Sequence, residues 1–243
     1  MIKNLWRCLP ALVLTALPLT APAPAAAAAA PVSAGGTPAA LGMERAPAPA
    51  SAVDAPLFQA LAWIEEGPEG VRDGYSRTQF KHWNAGLIAG DGCDTRKEVI
   101  LAEALLAPEV GAKCALTGGR WWSEYDQVWI TSASSLDVDH MVPLAEAWDS
   151  GAASWTAARR EAYANDQGAP NSLIAVSGSS NRSKADKDPA DWLPVKADQC
   201  KYAADWVADK LRWKLTADPA ERDALSLLAE DCPGTTVSYE QVP

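Results

Sequence analysis

Two segments decide the fold: LDVDHMVP at residues 136–143 and NSLIAVSGSSNRSKAD at residues 171–186. In the first segment apolar and polar residues alternate with period two, as in a half-buried strand, and Asp139 and His140 stand where that strand would end. The second segment begins with the apolar run LIAV, which is typical of another strand, and then turns into a short polar segment. We therefore expect two strands joined by a long connection and followed by a helix.

The polar side chains of these segments suit metal-dependent hydrolysis. The carboxylate of Asp139 suits a hard divalent cation such as Mg²⁺, and the neutral imidazole of His140 suits proton removal from water. Adjacent strand residues point to opposite sides, so a strand end or a bulge is needed to bring both to one site. Asn181 offers a carboxamide oxygen as a second metal ligand, and Arg182 and Lys184 suit a phosphate.

These motifs resemble those of the HNH endonucleases, the ββα-metal nuclease superfamily. The resemblance rests on D-H-x-x-P, on an asparagine near the second strand and on N-R-S-K-A-D. More closely, the span from Tyr75 to Cys232 is similar to the secreted HNH nuclease-like proteins of actinobacteria, which are related to the C-terminal domain of the GmrSD restriction enzymes. The resemblance implies an α+β fold, with a ββα-metal (HNH) core embedded in a mainly helical, disulfide-tied single domain.

The resemblance also implies roles for individual residues. Asp139 and Asn181 correspond to metal ligands, and His140 corresponds to the general base. Related sequences place a further asparagine directly before the second strand, where this chain has a serine. We favour Asn171 for this catalytic role, bracing the loop behind His140, and keep Asn165 as the substitute.

Four basic residues are candidates for contact with the substrate. Lys184 is expected to offset charge on the scissile phosphate, and Arg182 to bind it. Related secreted nucleases share Y-x-R-x-x-F and CDTR, which contain Arg77 and Arg96 here. Binding phosphate and tying a loop to a carboxylate are both open interpretations for these two arginines. His82 belongs to no motif, and we interpret it as structural.

The function implied is that of a secreted metal-dependent endonuclease that hydrolyses phosphodiester bonds of nucleic acid, with DNA favoured. One divalent cation is expected, with Mg²⁺ favoured and Mn²⁺, Ca²⁺, Ni²⁺ or Zn²⁺ as alternatives. Two other classes stay open: a catalytically silent secreted binding module on the same scaffold, and a different secreted hydrolase. The plainest alternative is structural, with Asp139 capping a helix and His140 buried in the core.

The net charge of -10 argues against a protein that holds nucleic acid through a broad basic surface. Active-site acids that a metal neutralises are counted in this sum, and an acidic surface also fits a soluble extracellular protein. The apolar fraction of 48% and the charged fraction of 21% are those of a globular chain.

Three regions follow one another along the chain. Residues 1–30 have the basic start, the apolar run and the alanine-rich end of a secretory signal peptide. Residues 31–54 are rich in alanine and proline and predict a linker. Residues 55–243 would form the HNH nuclease-like domain. We expect a secreted monomer with no membrane association once the signal peptide is cleaved.

Four cysteines remain when Cys8 leaves with the signal peptide: Cys93, Cys114, Cys200 and Cys232. An even number in an exported protein predicts two disulfides, and sequence alone permits three connectivities. We favour the sequential pairing. A zinc site built from the four thiolates is the rival, which the lack of any C-x-x-C spacing disfavours.

Helical patterns precede and follow the motif segments. A short apolar helix is expected at 55–66, an amphipathic helix at 202–215 and a last helix at 220–230. Asp218 before a proline, with Glu221 three residues later, predicts an N-cap close to a capping box. We interpret most of the eleven tryptophans as core residues.

Overall fold

The structure is a computed structural model that describes residues 52–243. The predicted signal peptide lies outside the described residues, as does the predicted linker except for its last three residues. The strands are short: β1 (Val53–Pro56), β2 (Glu109–Val110), β3 (Leu116–Thr117), β4 (Trp121–Ser123), β5 (Val128–Ile130), β6 (Leu136–His140), β7 (Leu173–Ser177) and β8 (Thr236–Tyr239).

The described chain also forms seven α-helices: α1 (Leu57–Leu61), α2 (Thr95–Ala102), α3 (Leu144–Asp149), α4 (Ala157–Ala164), α5 (Gly178–Lys184), α6 (Gln199–Trp213) and α7 (Pro219–Asp231). The last two match the predicted helices to within a few residues, whereas α1 is shorter than the predicted 55–66. The mixture of helices and small sheets is an α+β architecture. Within the described range, no helix combines the length and the apolar character that crossing a membrane requires.

The strands pair as four separate antiparallel ladders: β1 with β8, β2 with β3, β4 with β5, and β6 with β7. The first ladder begins at Val53, within the predicted linker. In the last ladder Asp139 lies opposite Ile174 and His140 lies opposite Leu173. This ladder carries the motif residues, and α3 and α4 fill the connection between its strands.

The β6–β7 ladder lies between two hydrophobic clusters because its residues alternate between its faces. Ile174 and Val176 join the larger cluster, which includes Trp206 and Trp213 of α6. Leu136, Val138, Leu173 and Ala175 join the smaller cluster with α2 and Trp121. Of the ten tryptophans in the described residues, only Trp63 and Trp129 are exposed, so most are core residues as predicted.

Two disulfides tie the described residues together. They join Cys93 to Cys114 and Cys200 to Cys232. The predicted sequential pairing is confirmed, which leaves none of these four thiolates for zinc. The first disulfide lies beside α2, and the second links the start of α6 to the end of α7.

The N-terminal end of α7 differs in one detail from the predicted capping. Asp218 caps the helix as predicted, since its Oδ1 accepts hydrogen bonds from the backbone N–H groups of Ala220 and Glu221. The Glu221 side chain does not complete a capping box. It is fully buried and accepts hydrogen bonds from Trp206 and Lys210. The competing partner is a buried ammonium group, which attracts a carboxylate more strongly than a helix N-terminus does.

Candidate active site

A cavity of about 250 Å³ opens at the end of β6. Five of the predicted site residues line it: Arg77, Asp139, His140, Asn181 and Arg182. The other lining residues are Val138, Pro143, Leu144, Ala185 and Asp186. Three predicted site residues are not part of this lining: Lys184, Asn171 and Arg96.

Asp139 and His140 reach the same cavity because β6 ends at His140. Within the ladder the two side chains start on opposite faces, as their pairing with Ile174 and Leu173 shows. The chain then turns before α3, and Pro143 of this turn and Leu144, the first residue of α3, line the cavity together with Asp139 and His140. The end of β6 therefore brings both side chains to one cavity, as expected from the sequence.

Asp139 is buried and uses one carboxylate oxygen for protein contacts. Its Oδ2 accepts hydrogen bonds from Lys184 Nζ at 2.7 Å and from the Tyr125 hydroxyl at 2.8 Å. Burial raises the pKa of Asp139, and the charge of Lys184 opposes that rise. Among the described residues Oδ1 has no hydrogen-bond partner, and it is not sealed from solvent. One oxygen of Asp139 is thus free to hold a ligand in the cavity.

Lys184 lies beneath this cavity with its side chain completely buried. Its Nζ donates to Asp139 Oδ2 at 2.7 Å and to the carbonyl oxygens of His140 and Met141 at 3.0 Å each. An ammonium group has three donors, so none remains for a phosphate. The geometry therefore differs from the direct phosphate contact expected from sequence. Lys184 instead holds Asp139 and the backbone carbonyl groups of His140 and Met141.

His140 is held as a neutral imidazole with a defined tautomer. Its Nε2 lies 3.0 Å from the carbonyl oxygen of Ala164, which can only accept, so Nε2 carries the proton. The ring stacks on Trp83 and Tyr163, with centroids 5.5 and 6.3 Å away. Burial lowers the pKa of His140 to about 3. Nδ1 therefore keeps its lone pair, and it has no partner among the described residues and is not sealed from solvent.

Asn181 and Arg182 lie on α5, and both contact Asp137 of β6. Asn181 Nδ2 and Arg182 Nη1 each lie 3.3 Å from Asp137 Oδ2. The contact orients the carboxamide and leaves its oxygen without a partner among the described residues. Asp137 was not singled out from sequence, although the D-x-D spacing places it on the same face as Asp139.

Asn171 lies away from His140. Its Nδ2 donates to Asp205 Oδ1 of α6 at 3.2 Å. It lines a larger cavity of about 660 Å³, whose lining shares no residue with the cavity of Asp139. The geometry thus differs from the bracing role that we favoured for Asn171, because α6 rather than the histidine loop covers this end of β7.

Asn165, the substitute, lies next to the hydrogen bond that holds His140. It follows Ala164, the residue whose carbonyl oxygen faces the imidazole. Its Oδ1 accepts the backbone N–H of Asn84 at 2.9 Å, and its Nδ2 donates to the carbonyl oxygen of Lys81 at 2.9 Å. Asn165 therefore ties the end of α4 to the segment that contains Trp83.

The two candidate arginines have different surroundings. Arg77 lines the cavity, and its Nε lies 3.4 Å from Nε2 of His82, whose Nδ1 lies 2.6 Å from the carbonyl oxygen of Phe80. The terminal nitrogens of Arg77 have no hydrogen-bond partner within residues 52–243. Arg96 donates to the carbonyl oxygen of Leu136 at 2.7 Å and so ties α2 to β6. These contacts favour a substrate role for Arg77 and a scaffold role for Arg96 and His82.

Comparisons with known proteins define the class. Residues 112–227 match the family described as the C-terminal domain of the GmrSD restriction endonucleases. The chain is also 38% identical over 188 residues to a protein of the fungus Arthroderma benhamiae named only as an uncharacterized secreted protein. The match covers 76% of this chain and 90% of that protein. No solved structure matches the chain.

The chain therefore belongs to one family with this fungal protein, and its central part is a domain of a nuclease-related kind. It is a secreted protein, as expected from the sequence. The resemblance to the nuclease family stated from sequence is confirmed, whereas the actinobacterial type stays a prediction because the relative found is fungal.

Sequence reasoning missed two aromatic residues of the site. Tyr125 donates to Asp139, and Trp83 stacks on His140. Trp83 has a φ of 59°, which is uncommon for a bulky residue and is found most often where the surroundings enforce it. Neither residue was singled out as a site residue from sequence, so only the folded chain reveals their place.

Proposed function

We propose that this protein is a secreted metal-dependent endonuclease that cleaves phosphodiester bonds, with DNA as the favoured substrate. The observation that carries the proposal is the meeting of Asp139, His140 and Asn181 at one cavity. These residues are a carboxylate, an imidazole and a carboxamide, and no local structural need brings the third to the first two. The relation to a restriction endonuclease domain supports a nucleic-acid substrate.

The secondary structure around the cavity supports a ββα-metal core. Strands β6 and β7 form an antiparallel pair, and α5 follows β7 directly. The base and one metal ligand stand at the end of the first strand, and the second ligand stands on the helix. This order of elements is the one that the resemblance to HNH nucleases implies.

The residues present fit a divalent cation, with Mg²⁺ favoured. Oδ1 of Asp139 and the carboxamide oxygen of Asn181 would hold it, and both lack protein partners in the described part of the chain. Such oxygens are the ligands that hard cations prefer, and Mn²⁺, Ca²⁺, Ni²⁺ or Zn²⁺ remain alternatives. When bound, the cation polarises the phosphate and stabilises charge on the leaving oxygen.

His140 would act as the general base through Nδ1. The hydrogen bond from Nε2 to Ala164 fixes the tautomer that leaves Nδ1 able to accept a proton from water. Stacking on Trp83 and Tyr163 fixes the plane of the ring. Asn165 would support this arrangement from behind, in place of Asn171.

Two arginines would offset charge on the phosphate. Arg77 and Arg182 line the cavity, and the side chain of Arg182 is 72% exposed. Guanidinium groups bind phosphate oxygens through paired N–H donors. This local positive charge lets an acidic protein accept an anionic substrate at one point. Lys184 would act on the substrate only through Asp139.

One observation favours the alternative of a silent binding module. Asp139 and His140 are both buried, at 6% and 4% exposure, Asp139 already has an ammonium partner, and a pKa of about 3 makes His140 a weak base at neutral pH. A scaffold that kept these groups for stability alone would show the same pairing. The nuclease and the binding module differ in whether Oδ1 of Asp139 and Nδ1 of His140 take part in a reaction.

Plasmid nicking by the mature protein, across a panel of divalent metals and with EDTA, tests the proposal. We expect metal-dependent nicking that EDTA abolishes. His140→Ala should lower turnover by roughly 10²–10⁴ because the base is lost, while the circular dichroism spectrum stays that of the parent. Absence of nicking with every metal would leave the binding module as the better account.

The two asparagines provide a matched control. Asn181→Ala should weaken metal binding in calorimetry and reduce nicking, because it removes a ligand oxygen. Asn171→Ala, at the other cavity, should leave both within a few-fold of the parent. The reverse result would restore the role that sequence favoured for Asn171.

A further inference from the structure

Three carboxylates away from the cavity form a compact group, here called the acidic cluster: Glu69, Glu146 and Asp149. One oxygen from each lies within 4.8 Å of the others. Glu146 and Asp149 are buried residues of α3, and Glu69 comes from the exposed segment before Arg72. The backbone of that segment is bonded to the helix, since the N–H of Gly70 donates to the carbonyl oxygen of Asp149 at 2.9 Å.

An unpartnered atom gives the acidic cluster a second, independent feature. Asp149 is 5% exposed, and its Oδ1 is buried without any hydrogen-bond partner in residues 52–243. Its Oδ2, by contrast, accepts from Arg72 Nε at 2.6 Å. A buried carboxylate oxygen without a donor is costly, and a bound ion or water is the usual explanation.

The surrounding charges do not balance. Lys210 is shared by Glu146 at 2.9 Å and Glu221 at 2.7 Å, and Arg72 lies 2.5 Å from Asp149. Glu69 has no cationic partner in the described chain. With Asp186, which lies 3.7 Å from Arg72, five carboxylates therefore share two cations, and when all five are ionised the excess is three negative charges. Burial and the charges of Glu146 and Asp149 accordingly raise the pKa of Glu69.

We propose that Glu69, Glu146 and Asp149 bind a calcium ion. Calcium lies 2.3–2.6 Å from its oxygen ligands, and the three oxygens of the acidic cluster lie within 4.8 Å of one another, so one ion can contact all three. Magnesium demands a near-ideal octahedral shell and gives up its waters reluctantly. Calcium also tolerates irregular geometry and completes its shell with water, which suits a site with one exposed ligand.

The calcium ion would fasten the segment around Glu69 to α3, which begins directly after the His140 turn. Arg72, on the same segment, also lies 3.7 Å from Asp186, a residue of the candidate active-site cavity. Binding would thus stabilise one border of that cavity without contact with the reacting groups. The proposal does not depend on nuclease activity, because its ligands are not those of the catalytic metal.

Calcium titration of the metal-free mature protein tests this, by calorimetry and by thermal unfolding. We expect a site separate from Asp139 and Asn181, with a Kd of about 10⁻⁴–10⁻³ M, as in extracellular modules, and a Tm that rises with calcium. Glu69→Gln should weaken calcium binding at least tenfold and abolish the Tm rise. Because Glu69 is exposed, this variant should fold as the parent does. Glu109→Gln, an exposed glutamate of β2, should behave as the parent.

Terbium luminescence provides a second readout, because Trp148 adjoins Asp149 and can sensitise a bound lanthanide. Sensitised emission that calcium displaces, and that Glu69→Gln loses while Asn181→Ala retains, supports the proposal. Calcium binding that Asn181→Ala abolishes and Glu69→Gln leaves unchanged would assign the ion to the catalytic site and overturn it. A parent protein with no calorimetric signal and no Tm shift would also overturn it.

Discussion

Two fully buried lysines hold two different kinds of carboxylate centre. Lys210 contacts two carboxylates, Glu146 and Glu221, whereas Lys184 contacts one, Asp139, and two backbone carbonyl oxygens. Burial lowers the pKa of both ammonium groups, but at Lys210 the two glutamates outweigh it and the pKa is raised. At Lys184 the single aspartate does not outweigh burial, and the pKa is lowered.

The difference separates a structural centre from one that can take part in function. At Lys210 the two glutamates join α3 and α7 to α6, so its contacts hold these helices together, and Glu146 is also a member of the acidic cluster. At Lys184 the partner carboxylate keeps one free oxygen on a cavity. A buried charge pair stabilises little by itself, but breaking one by removing a partner is costly. The two centres should therefore fail in different ways when the lysine is removed.

The largest effect is expected at the structural centre. Lys210→Met leaves two buried glutamates without a cation and should lower the free energy of unfolding by about 3–5 kcal/mol. Urea unfolding followed by tryptophan fluorescence measures this. Lys196→Met, which breaks an exposed pair with Asp231, is the control and should cost less than about 1 kcal/mol. Equal losses in the two variants would contradict the structural role of Lys210.

A smaller loss of stability and a larger loss of activity are expected at the other centre. Lys184→Met should cost about 1–3 kcal/mol, because Asp139 borders a cavity and can gain a proton or a water. Nicking per folded molecule should fall at least tenfold, since Asp139 and the backbone of His140 lose their fixed positions. The opposite result would be nicking that Lys184→Met retains and that Lys210→Met loses at a temperature where it stays folded. It would mean that Lys210, and not Lys184, supports activity.

A third effect, on the pH dependence of stability, is expected where a buried carboxylate has no lysine partner. Asp209 is held by Ser172 and Tyr163, and burial raises its pKa to about 7. Because this pKa lies above that of the unfolded chain, the stabilising contribution is complete below pH 4 and is lost as pH rises through 7.

In Asp209→Asn this part of the pH dependence should disappear. The variant should gain stability relative to the parent between pH 4 and pH 8, as measured by urea unfolding at both values. Parallel pH profiles for the parent and the variant would mean that Asp209 is ionised in the folded protein.

Features that depend on neighbours in the chain were predictable from sequence. The alternation in LDVDH predicted β6 and its end, and the capping of α7 by Asp218 follows from adjacent residues. The disulfide pairing also agreed with the sequential expectation, since Cys200 and Cys232 flank two helices that fold back on each other. These outcomes need only local geometry and short-range topology.

Features that depend on distant residues required the folded chain. Lys184 looked like a phosphate ligand in sequence, but its burial under Asp139 consumes all its donors. Sequence favoured Asn171 over Asn165, and only the folded chain showed that Asn171 contacts Asp205 of α6.

The features of the described residues divide by whether they depend on neighbouring or on distant parts of the chain. Sequence determined the motif, the strand that presents it, the family and secretion, because each depends on residues that are contiguous in the chain. Tertiary structure decided which oxygen of Asp139 is free, which nitrogen of His140 carries the proton, and that Glu69 joins α3. The physical reason is that burial and charge pairing depend on residues far apart in the chain, whose contacts no local pattern records.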